Sequence, residues 1–117
     1  MQKEKDNKCF VIFCDAFKKE TSYMRVDATL EGLKDLLKCE MIESVRLFDY
    51  PPTVILVDEN ARLSNIEHRR FSLYQWDLLD RAIIIGTHEG EFTDVKMQLN
   101  DVINHIKYER EGSNNYA

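Results

Sequence analysis

"RAIIIGTH", residues 81–88, is the stretch on which the fold turns. Four consecutive apolar residues, three of them β-branched, lack the period of two that a strand with one wet face shows. They read as a central strand buried on both faces. The rest of the chain is then fitted as a sheet growing outward from it.

Three upstream segments supply partners. "CFVIFCDAF" (9–17) is rich in β formers and reads as a buried strand, "KKETS" as a turn, and "YMRVDA" as its hairpin partner. "MIESVRLFDY" (41–50) alternates, with Met41, Glu43, Val45 and Leu47 on one face and Ile42, Ser44, Arg46 and Phe48 on the other. Pro51-Pro52 ends that segment because neither proline donates to a ladder. "TVILVDEN" (53–60) is a further strand running into an Asp-Glu-Asn turn, and "ARL" begins a return.

Two helices are expected. Thr29 caps "LEGLKDLL", Glu31 lies at its positive dipole end, and Leu30, Leu33, Leu36 and Leu37 form one apolar stripe. Thr93 or Asp94 caps "VKMQLNDVINHIKYER", with Val95, Leu99, Val102, Ile103 and Ile106 as the buried stripe. The expected fold is a single α+β domain over residues 9–110. It has a mostly antiparallel sheet of about five strands, in the order β-β-α-β-β-β-α, with two helices packed on one side. Residues 1–8 and 111–117 are polar and are expected to be a flexible N-terminus and a disordered tail.

Composition excludes several classes. At 117 residues the chain supports one core and is too short for two. No apolar run approaches the roughly 20 residues that span a bilayer, so no membrane association is expected. The charged "MQKEKDNK" start and the interruption at Asp15 argue against a secretory signal, which leaves a cytoplasmic location. A net charge of −5, with acids dispersed among lysines and arginines, argues against direct nucleic-acid binding. Cys9, Cys14 and Cys39 are odd in number and lack a CxxC spacing, so reduced thiols are expected and zinc is not. With no P-loop and no GxGxxG, no cofactor is expected either.

The exception to the acidic background is "HRRF" (68–71). His68, Arg69 and Arg70 stand together, Arg62 lies upstream, and Tyr74 and Trp76 follow. Guanidinium forks suit phosphate, and aromatic rings stack on bases, so these six residues are the candidate ligand site. The competing reading is ion pairing of the arginines with Asp58, Glu59, Glu67, Asp77 or Asp80. No catalytic residue is assigned. Cys39 ends a helix, where the dipole disfavours a thiolate, and His88-Glu89 reads as a surface turn.

The helix "TLEGLKDLL", the strand "IESVRLF", "VILVDENARL", the basic "HRR" and "AIIIGTHEGEF" together resemble a family of small domains of unknown function from phages and other mobile elements. The resemblance covers roughly residues 29–106. Where that family has Asn-Arg, this chain has His68-Arg69. It implies a phage-type accessory protein and supplies no reaction.

Three functions are weighed on these features. The first is a non-enzymatic protein that counters host defence by sequestering a nucleotide immune signal, as a homo-oligomer, through His68, Arg69, Arg70, Arg62, Tyr74 and Trp76. The second is a protein-protein inhibitor that engages a host defence protein, a CRISPR or restriction nuclease, through its acidic surface. The third is a small nucleotide-cleaving enzyme that depends on His68 or His88.

Overall fold

A computed structural model describes residues 7–61 and 67–109. The expected central strand is β7 (Arg81–His88), and residues 82–86 are all buried. Its side chains alternate between two cores. Ile83 and Ile85 face one, while Ala82 and Ile84 face the other. Full burial of an isoleucine side chain contributes roughly 1.5–3 kcal/mol, so this strand alone anchors both layers.

Around β7 the main sheet runs in the order β2-β1-β7-β4-β3, with every neighbouring pair antiparallel. The strands are β1 (Lys8–Asp15), β2 (Glu20–Asp27), β3 (Ile42–Asp49) and β4 (Pro52–Asp58). β1 and β2 form the expected hairpin, one residue longer at its start than the expected domain limit. β8 (Glu91–Thr93) folds back on the end of β7, beyond the point where β1 leaves it. Asp94 Oδ1 then accepts from Phe10 N at 2.8 Å, and Val95 N donates to Phe10 O at 2.8 Å. Gly86 makes this crossing feasible, because a Cβ there would lie 2.5 Å from the Asp94 carbonyl oxygen.

The helix α1 (Leu30–Leu37) covers one face. Thr29 caps it as its hydroxyl chemistry requires, accepting from Gly32 N at 3.1 Å. Leu33 and Leu37 pack on Val11, Leu56, Ile83 and Ile85. In β3 the alternation holds as far as Val45 and Leu47, which face the opposite core. A bulge between Arg46 and Phe48 then turns Phe48 to that same side.

The second face departs from expectation. It is covered by a separate three-stranded antiparallel sheet, β6-β5-β9, together with a short helix. "HRRF" opens strand β5 (Arg70–Leu73), which turns through Tyr74-Gln75 into β6 (Trp76–Leu79). The expected 16-residue helix becomes α2 (Leu99–Ile103) and strand β9 (Ile106–Tyr108). Of its expected stripe, Val95 and Val102 are buried, Leu99 and Ile106 are partly buried, and Ile103 is exposed. Asp94 does not cap a helix because its carboxylate is used on Phe10, and Gln98 occupies the cap position without a side-chain bond.

The α+β class with two helices therefore stands, with corrections. There are nine strands among the described residues instead of about five, and the helices lie on opposite faces of the main sheet. Four of the nine, β5, β6, β8 and β9, have only three or four residues, too few for alternation to register as a pattern. The expected return strand at "ARL" is not seen at Ala61, and its other two residues lie outside the described residues, as do positions 1–6 and 110–117. No helix among the described residues is long and apolar enough to cross a membrane.

Candidate functional site

The three consecutive basic residues take three different surroundings. His68 is mostly buried, and its Nδ1 lies 2.7 Å from Asp80 Oδ2. The other carboxylate oxygen, Asp80 Oδ1, accepts from Arg69 N at 2.8 Å. Asp80 itself is fixed by its backbone: its N donates to Arg69 O at 2.7 Å and its O accepts from Ala16 N at 2.8 Å. With the carboxylate accepting at Nδ1, the neutral ring leaves Nε2 as an acceptor, and a protonated ring makes it a donor. That Nε2 is buried and has no hydrogen-bond partner among the described residues.

Arg70 points to the outer face of the small sheet. Phe71, Leu73 and Leu78 face the core, so strand alternation sends Arg70, Ser72 and Asp77 outward. Ser72 pairs in register with Asp77 on one side and Lys107 on the other, and Glu109 N donates to Arg70 O. These residues form the wall of an open groove of about 950 Å³, with His68 and Leu79 at its margin. Among the described residues, neither Arg70 nor Lys107 lies within salt-bridge reach of a carboxylate.

Arg69 goes elsewhere. Its guanidinium carbon lies 5.8 Å from the centre of the Phe17 ring, which Arg81 also covers at 4.5 Å. None of the ion pairs expected of Arg69 and Arg70 forms among the described residues; of the five acids, Asp80 is engaged by the His68 ring instead.

Tyr74 and Trp76 do not join a basic site. Tyr74, in the hairpin turn, stacks on His105 at 4.5 Å and meets the edge of Phe48 at 5.4 Å. Partial burial raises its pKa, with a smaller push from the Asp101 charge. Trp76 packs against the core and borders a small cavity of about 110 Å³ beside Glu43, Asp58 and Glu59. Strand rise places the turn roughly 13 Å from Arg70, and the face of Tyr74 there is already taken by His105. Arg62 lies outside the described residues. Of the six candidates, the structure brings His68 and Arg70 to one groove.

Four polar or charged groove residues, Ser72, Asp77, Lys107 and Glu109, are not among the candidates. Reading 95–110 as one helix hid Lys107, because only pairing with β5 places it beside Ser72. Arg81 was also overlooked, although a cation opening the most apolar strand is a visible anomaly.

Cys14 and Cys39 are not poised as nucleophiles. Cys14 is fully buried, which pushes its pKa up to about 12. Cys39 is also raised, first by burial and then by the Asp58 charge, against a lowering by Lys34 and the Met41 backbone. His88 pairs with Glu89 at 2.9 Å on an exposed turn. Among the described residues no group of three or more His, Cys, Asp or Glu is placed to hold a metal ion. Comparison of the chain with protein-family models, with curated proteins and with solved structures finds no match.

Proposed function

We propose that this is a non-enzymatic binding protein for a small phosphorylated ligand of the nucleotide class, held in the groove over the small sheet. One observation carries the reading: Arg70 and Lys107 share that groove with no carboxylate in salt-bridge reach among the described residues. A phosphate would meet the Arg70 fork and the Lys107 ammonium. The same wall also presents carboxylates, Asp77 and Glu109, and the Ser72 hydroxyl. Such a mixed wall suits a ligand with an anionic end and hydroxyl or amino donors better than it suits a bare anion. His68, immobilised by Asp80, contributes a directed ring at the margin.

In the anti-defence role, the protein acts by holding a nucleotide signal away from its receptor. The groove is open, so a second copy closing over it would bury the ligand more fully, and ligand-dependent dimerisation belongs to the reading. Calorimetry against cyclic nucleotides and ADP-ribose derivatives tests it, with native mass measured in parallel. Arg70→Ala and Lys107→Ala are each expected to weaken binding by about tenfold or more. No heat with any nucleotide, or undiminished binding by the double variant, refutes the proposal.

A further inference from the structure

We infer that a second site, on the side of the domain where Arg69 and Arg81 meet Phe17, binds an oxoanion, a phosphate or carboxylate group. It is built independently of the groove. Arg81 opens β7, and its side chain is only 19% exposed. A guanidinium carries five N–H donors in a planar fork, and the nitrogens of Arg81 without an acceptor among the described residues stay open to solvent. Its carboxylate partner, Asp15, makes a long salt bridge to Nε at 4.0 Å, on the side of the fork away from the terminal nitrogens. Asp15 Oδ1 is already engaged, accepting from Phe17 N at 3.0 Å. Among the described residues the two terminal nitrogens of Arg81 therefore have no acceptor, and they form a planar donor edge that fits two oxygens of one anion.

Phe17 sets the second half of the site. The residue is 45% exposed, yet both guanidinium groups lie over its ring, Arg81 at 4.5 Å and Arg69 at 5.8 Å. A ring face attracts a cation, and a second guanidinium at the same ring gathers positive charge that a bound anion would offset. Beside Phe17 and Arg81 is a cavity of about 500 Å³ that also carries Lys18 and Lys38 opposite Glu20 and Asp35. Lys18, Lys38 and Arg81 balance Asp15, Glu20 and Asp35 along that cavity, and Arg69 adds a further cation at the Phe17 ring, in a chain whose net charge is −5. Arg69 is held in place through its backbone, by Asp80 on both N and O, so its side chain starts from a fixed point.

The test is an NMR titration of arginine side-chain Nε signals in the full chain with inorganic phosphate, acetate and a nucleoside monophosphate. Saturable shifts of Arg81 and Arg69 are expected with phosphate. Arg81→Gln is expected to weaken them by about tenfold or more, and the exposed Arg69→Ala by a smaller factor. Lys96→Ala, which removes a cation elsewhere on the surface, is expected to leave them unchanged. A monophosphate acting at lower concentration than phosphate identifies the anion as part of a larger ligand; equal affinity identifies a free oxoanion. If Arg81→Gln fails to fold, Arg69→Ala decides. The inference fails if no anion gives saturable shifts, or if folded Arg69→Ala binds phosphate as wild type does.

Discussion

Asp80 holds the start of the small sheet to the main one, and its removal gives a measurable forecast. Asp80→Ala deletes the acceptor for His68 Nδ1 at 2.7 Å and for Arg69 N at 2.8 Å. A hydrogen bond to a charged group contributes about 1.5–3 kcal/mol, and partial exposure places this pair near the lower end. Asp80 also sits at φ 67°, in the left-handed region, where alanine is less tolerated than aspartate or asparagine. The sum is a loss of about 3–4 kcal/mol, a large share of the roughly 5–15 kcal/mol that holds a domain folded. Asp80→Asn keeps the backbone tolerance and one oxygen, so about 1–1.5 kcal/mol is expected. Urea denaturation followed by the fluorescence of the single tryptophan, Trp76, reads both variants. A cycle with His68→Ala should return a coupling of about 1 kcal/mol or more. An alanine variant within about 0.5 kcal/mol of wild type, or a coupling of zero, would show that the His68–Asp80 contact does not hold these segments together.

Two further outcomes follow from the packing. Gly32→Ala, which ordinarily gains about 1 kcal/mol inside a helix, should here destabilise, because the new Cβ would lie 2.4 Å from the Asp27 carbonyl oxygen; a raised thermal midpoint would contradict this. Burial holds the Cys14 thiol up to about 12, while in the unfolded chain it ionises near 9.0. Stability from the neutral thiol is thus complete below about pH 9 and declines towards pH 12, by about 1.4 kcal/mol per unit. Tyr108, raised mainly by burial, adds the same sign at higher pH. Cys14→Ala should flatten the part of the slope just above pH 9 in urea titrations, and parallel slopes for variant and wild type would refute the assignment.

Much of the main sheet was readable from local pattern. The "AIII" run marks β7, the leucine stripe and Thr29 mark α1, and alternation marks β3 up to its bulge. The small sheet carried a fainter signal. Phe71 and Leu73, then Trp76 and Leu78, do alternate, but the turn between them is Tyr74-Gln75, with no glycine, asparagine or proline to announce it. Val95, Leu99, Val102 and Ile106 keep helical spacing, yet Ile106–Tyr108 becomes a strand because β5 offers it an edge. A three-residue strand has little intrinsic preference, and its conformation is decided by its partner.

The candidate site divides in the same way. By itself the sequence determined where the unusual charge lies, at residues 68–70, and that residues on a strand address alternate faces. Only the tertiary structure decided what each side chain meets. His68 meets Asp80 from across a hairpin, Arg70 comes to share a groove with Lys107 through the β5–β9 pairing, and Arg69 shares Phe17 with Arg81 from separate strands and turns. A run of charges is a local property of the chain, whereas the geometry of its partners depends on contacts between segments far apart in sequence.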